Sequence, residues 1–158
     1  MKNGSDRPAE EIERLVSTYT DTLYRICLTR LRSPADAEDA VQETFLKLLK
    51  RQPRFQSPDH EKAWLIRVAL NVCTDLVRAR QRHAESPLSD LAEAAAQSDA
   101  PDVMEALLNL PEAYRTVLTL HYVEGYTTKE IAGLIGKSDS AVKMRLQKGR
   151  ELLRESES

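Results

Sequence analysis

Apolar side chains that recur every three or four residues constrain this chain more than any other feature. Ile12, Leu15, Val16, Tyr19, Leu23, Ile26 and Cys27 follow that spacing, as do Ala37, Val41, Phe45, Leu48 and Leu49. So do Trp64, Leu65, Val68, Ala69, Val72, Cys73, Leu76 and Val77, which cover a wide arc. The period is that of a helix with one buried face, and no alternating segment of useful length argues for a strand. The expected fold class is all-α. Helix starts are written in the same plain terms. Ser33-Pro34 and Ser57-Pro58 each place an N-capping hydroxyl before a proline suited to the first helical position. Helices are therefore expected from about Pro8 to Arg32, Pro34 to Arg51, and Pro58 to Arg82.

Beyond Arg82 the pattern stops. HAESPLSDLAEAAAQSDA, residues 83–100, is small, acidic and aperiodic, and reads as a flexible linker with a transiently helical piece at Leu91–Ala96. Two small helical domains are expected, 8–82 and 101–155, joined by it. In the second, helices are expected near Pro101–Leu108, Pro111–Glu124, Thr127–Ile135 and Ser138–Arg154. Thr127-Thr128-Lys129-Glu130 has the form of a capping box, Gly136 supplies a tight turn and Ser138 caps the last helix.

Charge is segregated along the chain. The formal net charge of -2 sums +3 over residues 1–82, -6 over 83–105 and +1 over 106–158. The mild total thus does not argue against an anionic partner. The basic stretch SAVKMRLQKGR, Ser140 to Arg150, holds four cations and no acid. At 100° per residue, Val142, Leu146, Gly149 and Leu153 share a packing face. Ser140, Met144, Gln147 and Lys148 lie opposite, with Lys143 at the margin and Arg145 and Arg150 flanking the packed stripe.

Two short capped helices joined through a glycine turn form a helix-turn-helix, whose second helix enters the DNA major groove. The polar outer face then suits base edges, the flanking arginines suit phosphates, and Met144 suits a thymine methyl. The bland alternative is a solvated basic helix of a bundle.

Other function classes find little support. No run of apolar residues approaches the ~20 that span a bilayer. The N-terminus MKNGSDRPAEEIERL is polar and acidic, unlike a signal peptide, so a cytoplasmic protein without membrane insertion is expected. Cys27 and Cys73 lie on apolar faces and read as buried reduced thiols. His60, His83 and His121 lack metal-ligand spacing, no glycine-rich phosphate loop occurs, and His121 and Glu124 lack convergent catalytic partners. No enzyme activity, cofactor or small-molecule substrate is expected.

The segment LPEAYRTVLTLHYVEGYTTKEIAGLIGKSDSAVKMRLQKGRELL resembles the promoter-binding C-terminal domain of bacterial extracytoplasmic-function (ECF) sigma factors. ADAEDAVQETFLKLL looks like that family's core-polymerase-binding helix, and AWLIRVALNVCTDLVRARQR like its helix for -10 recognition and promoter melting. The resemblance spans about residues 10–82 and 101–154 in the family's order, departing from it at Gly149, where the family usually has alanine, and at Asp139 and Gln147.

It implies a transcription initiation factor with three surfaces. Asp36, Glu38, Asp39, Gln42 and Glu43 would face polymerase, with Asp39 and Gln42 docking on the coiled-coil clamp of the β′ subunit. Arg54, Phe55, Lys62, Trp64, Arg67, Asn71, Arg78 and Arg80 would serve the -10 element and melting, with the QPRFQ loop as pocket rim or as a plain connector. For Trp64 the more frequent case in a helical domain is a core residue. Thr127, Lys129, Ser140, Lys143, Met144, Arg145, Gln147, Lys148 and Arg150 would contact the -35 element. An anti-sigma factor is implied as a further partner. The rival reading is a stand-alone helix-turn-helix regulator, which needs neither the acidic α-helical cluster nor the aromatic-basic third helix.

Overall fold

The computed structural model describes residues 7–83 and 101–156, and the linker readings at 84–100 lie outside the described residues. The described residues form helices in two bodies, without strands.

The first body is a three-helix unit. Helix α1, Ala9–Leu31, ends where Arg32 turns left-handed (φ 61°) and returns its N–H to the Leu28 carbonyl. Helix α2, Pro34–Arg51, begins as its sequence dictates. The Ser33 hydroxyl accepts from Asp36 N at 3.2 Å, and Pro34 occupies a first-turn position whose missing N–H costs nothing. Helix α3, Pro58–His83, repeats the device, with His60 N donating to Ser57 Oγ at 3.1 Å.

Leu15, Leu23, Ile26, Ala37, Leu48, Leu65, Ile66 and Ala69 are fully buried between the three helices. Each such leucine or isoleucine contributes about 1.5–3 kcal/mol of apolar burial. Cys27 and Cys73 are free and buried in this core. The Cys27 thiol, hydrogen-bonded to Cys73 and desolvated, is pushed well above its ordinary value. One polar tie joins α1 to α3. Buried Glu61 accepts from Tyr19 Oη at 2.7 Å and Arg14 Nη2 at 2.8 Å. Burial alone would raise the Glu61 carboxyl, but those two donors outweigh it and hold it below its ordinary value.

The second body contains α4 (Pro101–Leu108), α5 (Glu112–Leu118), α6 (Thr128–Ile135) and α7 (Asp139–Ser156). Leu108, Val117, Leu118, Leu120, Ile131, Val142 and Leu146 form its core. The sequence predicts one helix over Pro111–Glu124; instead α5 widens into a π-helical turn at Thr119–Val123. Glu124 N reaches the Thr119 carbonyl at 3.1 Å, five residues back. The wider turn exposes Tyr122 and Val123 and swings Glu124 toward the first body. The N–H of Tyr126 then closes on the Leu120 carbonyl, and Gly125 takes φ 80° to permit it.

Two residues of the expected apolar stripes fall outside the core. Val16 is at the surface, and Leu49 is 45% exposed. The apolar arc of α3, with Leu65, Ile66, Val68, Ala69, Leu70, Val72 and Cys73 buried, packs in the core in which those two take no part.

Candidate functional site

On α2, Glu38, Asp39, Gln42 and Glu43 are all exposed on the side away from the core. Two leucines continue that side, Leu46 at 57% and Leu49 at 45% exposure, beside a cleft of about 500 Å³ lined by Glu43, Leu46, Lys47, Lys50 and Arg51. An acidic turn followed by exposed leucines makes a mixed polar and apolar strip along one side of α2. Sequence reasoning put Leu49 on the buried stripe beside Leu48 and gave Leu46 no place. Asp36 does not join this group, since its carboxylate pairs with Arg80 of α3. That pair ties together two residues expected to serve different partners.

Around α3 the eight candidates divide. Phe55 is half-buried, its ring edge-on to Trp64 (5.8 Å) and His60 (5.6 Å), with Arg7 over its face at 4.9 Å. Trp64 is itself half-buried against the core, so it packs and lines the aromatic cluster at once. Arg54 is exposed next to that cluster, and Arg78 is exposed farther along. Lys62, Arg67 and Asn71 are different: they face the second body. Lys62 Nζ lies 3.8 Å from Glu124 and 5.4 Å from the Tyr126 ring centre. Arg67 and Asn71 line a cleft of about 410 Å³ together with Arg30, Lys137 and Arg145.

The helix-turn-helix forms as the residues require. Both halves of the capping box are made, Glu130 N to Thr127 Oγ1 at 3.1 Å and Thr127 N to Glu130 Oε1 at 2.9 Å. Gly136 turns at φ 70°, and Ser138 Oγ accepts from Ala141 N at 3.1 Å. On α7, Val142, Leu146 and Gly149 are buried, while Ser140, Lys143, Met144, Gln147, Lys148 and Arg150 are exposed, as is Lys129 on α6. Met144 is 71% exposed in a shallow groove beside Tyr114, Ala141, Arg145 and Lys148.

Local pairs hold several of these side chains. Lys143 lies 3.2 Å from Asp139, and Arg150 donates to Tyr122 Oη at 2.8 Å. Thr128 and then Lys143, as hydrogen-bonding neighbours, hold the Asp139 carboxyl below its ordinary value. Arg145 does not stand on the open face; it is half-buried between that groove and the cleft shared with α3.

A further set of residues had no sequence signal. Arg25 of α1 lies 3.2 Å from Glu124, whose side chain is only 3% exposed. Arg30 pairs with Glu112 at 3.0 Å. Buried Arg115 donates to the Leu110 carbonyl at 3.0 Å and, across the seam, to the Arg30 carbonyl at 3.2 Å. Burial, then the nearby Arg32 charge, lower the Arg115 guanidinium to about 10. Partners 85 and 99 residues apart leave no periodicity to read. Among the described residues no group of three or more His, Cys, Asp or Glu is placed to hold a metal, and no helix is long and apolar enough to cross a membrane.

The three-helix body and the helix-turn-helix body each match a region of the sigma-70 family. Residues 15–83 match Sigma-70 region 2 and residues 101–153 match Sigma-70, region 4. The chain belongs to the ECF RNA polymerase sigma factors, which direct promoter recognition and are not enzymes. It is 30% identical to the RNA polymerase sigma factor CarQ of Myxococcus xanthus, across 98% of this chain and 94% of CarQ. It is 26% identical to the ECF sigma factor SigW of Bacillus subtilis, across 89% of this chain and 85% of SigW. The 32% match to the probable sigma factor RfaY of Xanthomonas campestris uses 89% of this chain but spans only 39% of RfaY.

Among solved structures, CnrH in complex with the cytosolic domain of CnrY is 26% identical with a TM-score of 0.68, across 95% of this chain and 89% of CnrH. RpoE of Bartonella quintana, in complex with the anti-sigma factor NepR, shares the fold at 23% identity and a TM-score of 0.75, across 93% of this chain and 96% of RpoE.

Proposed function

We propose that this sigma factor docks on the β′ coiled-coil clamp of core RNA polymerase through Glu38, Asp39, Gln42 and Glu43 of α2, reads a -35 element with α7, and engages and melts a -10 element with α3 and the QPRFQ loop. The observation that carries this reading is the α2 ridge, where four exposed polar residues lead into exposed Leu46 and Leu49. A stand-alone regulator has no use for such a ridge. In α7, Lys143, Met144, Gln147 and Lys148 read base edges, with Ser140 beside them, while Arg145 and Arg150 hold phosphates flanked by Thr127 and Lys129 of the preceding helix.

At the -10 element, Phe55 and Trp64 form an aromatic rim on which an unstacked base rests. Arg54, Lys62, Arg67, Asn71, Arg78 and Arg80 provide its polar and cationic surroundings. The working units are 8–82 and 101–155, tethered by 83–100, in the cytoplasm and without membrane insertion. An anti-sigma factor is the expected regulatory partner, supported by the partner-bound state of RpoE, a relative in fold.

Reversing Asp39 to Lys together with Gln42→Ala is expected to abolish co-purification with core polymerase. Both positions are exposed, so helicity by circular dichroism stays at the wild-type level. Retained polymerase binding by a folded double variant would remove the docking assignment.

A further inference from the structure

The cleft of about 410 Å³ lies at the seam where the two bodies pack, the closed arrangement of the chain, and α1, α3, α5, α6 and α7 all line it. We propose that this cleft is a binding site for a nucleoside diphosphate. Arg67, Asn71 and Arg145 were assigned above to DNA, and side chains suited to one phosphate ester accept another. The site itself stands apart from the promoter reading, since nothing in it depends on which DNA the protein recognises.

Three cations stand in the cleft uncompensated. Arg67 of α3, Lys137 after α6 and Arg145 of α7 line it, and none of them has a hydrogen-bond or ion-pair partner among the described residues. The one carboxylate among the described lining residues, Glu112, is already paired with Arg30 at 3.0 Å. Like charges gathered in a confined space repel one another and attract an anion. A terminal phosphate brings roughly -1.5 to -2 at neutral pH and a second phosphoryl group about -1 more, which matches three cations. Each arginine offers a planar fork to two phosphate oxygens, and the lysine adds a point charge. Arg145 is half-buried, so its charge acts with less screening than that of an ordinary surface arginine.

The rest of the lining suits a nucleoside. Thr116 of α5 is 7% exposed, yet its hydroxyl makes no hydrogen bond among the described residues. Buried hydroxyls are nearly always paired, so this one is a donor for an oxygen that a ligand supplies. Gly136 turns left-handed, and Lys137 N closes on the Ala132 carbonyl at 3.1 Å, which fixes where Lys137 stands. The same turn leaves the last carbonyls of α6 beside the cleft, around Ile135 and Gly136. Carbonyl oxygens repel a bare phosphate but accept from ribose hydroxyls and base N–H groups. Buried Leu70 and half-buried Ile135 add apolar surface, and the Asn71 amide both donates and accepts. A nucleoside diphosphate uses all of these groups, whereas inorganic diphosphate uses only the cations. The volume lies within the roughly 300–1,000 Å³ of small-ligand sites.

The test titrates guanosine diphosphate into the full chain by calorimetry, without divalent cations and at about 0.1 M salt, where distant surface charges are screened. Saturable binding at one site per chain is expected, at least tenfold tighter than guanosine monophosphate, with no binding of guanosine. Arg67→Ala, Lys137→Ala and Arg145→Ala are each expected to weaken it at least fivefold. Lys50→Ala, which removes an exposed cation from α2, is expected to leave it unchanged. Arg67 and Lys137 are exposed, so their variants decide the matter even where Arg145→Ala loses helicity.

Inorganic pyrophosphate, titrated in parallel, is expected to bind at least tenfold more weakly than guanosine diphosphate; equal affinity overturns the nucleoside assignment. Absence of saturable binding, or binding that Arg67→Ala and Lys137→Ala leave intact, overturns the site. A mixed-sequence single-stranded DNA dodecamer that binds through these cations while guanosine diphosphate does not would give them to DNA alone, and overturns it too.

Discussion

Gly149 shows how much one absent methyl carries. It lies on the buried face of α7, where a Cβ would stand 2.9 Å from Leu118 Cδ1, 3.2 Å from Leu118 Cγ and 3.3 Å from Tyr114 Cβ. A glycine inside a helix gives up about 1 kcal/mol of propensity against alanine. Here α5 approaches closely enough to use the space, and Leu118 is fully packed. Overpacking costs about 1–3 kcal/mol, and Tyr114 Cβ, fixed to its backbone, cannot swing aside. Gly149→Ala is therefore expected to lower the thermal midpoint by several degrees despite the better helix former. Leu118→Ala, destabilising alone, is expected to cost less in the Gly149→Ala background, a coupling that a double-mutant cycle in denaturant measures. That Gly149 lies on the packing face of α7 was legible from the sequence. Which side chain fills the space was not, because Leu118 sits 31 positions upstream with nothing in the spacing to pair them.

At the scale of the element, capping decides whether α6 exists. Eight residues are too few to hold a helix unaided, since nucleation is unfavourable and only a few bonds repay it. Thr127 and Glu130 satisfy each other's orphan N–H groups, and α6 in turn presents α7. Thr127→Ala is expected to cost about 1 kcal/mol by chemical denaturation, and Thr127→Ser to restore most of it. A DNA contact through the same hydroxyl would show separately, as weakened binding in a variant whose stability is intact.

The elements themselves were legible: Ser-Pro starts, the capping box and the glycine turn all act where the sequence puts them, because each is a contact between residues three or four apart. The exception proves the range of that reasoning. A π turn adds one residue to a helix and leaves a three-four pattern nearly unchanged, so Pro111–Glu124 read as continuous. Leu46 and Leu49 were hidden for the opposite reason. Four leucine or phenylalanine positions crowd residues 45–49, and periodicity alone cannot say which of them turn outward.

For the whole molecule, the seam predicts how the bodies part with pH. Tyr126 packs at the seam under Lys62, near Glu124, Glu130 and Asp59, and burial followed by those acids pushes its phenol from 10 up to about 12. A tyrosine that titrates higher in the closed state than in the open one favours closure fully below pH 10. That preference is lost as pH climbs from 10 through 12, because the open form ionises first. Tyr19, raised to about 12 by burial and its bond to Glu61, lies wholly within the first body and keeps that environment when the bodies part. Buried Arg115, lowered to about 10, acts with the opposite sign across that window, since the closed state releases its proton more readily.

The net response of the wild type therefore mixes two groups of opposite sign, and a single substitution separates them. Tyr126→Phe keeps the ring beneath Lys62, removes the ionising hydroxyl, and leaves Tyr19 and Arg115 untouched. Between pH 10 and 12 the radius of gyration of the wild type is expected to rise relative to that of Tyr126→Phe. Identical scattering curves for the two proteins up to pH 12 would mean that Tyr126 is no more shielded from water with the bodies together than with them apart.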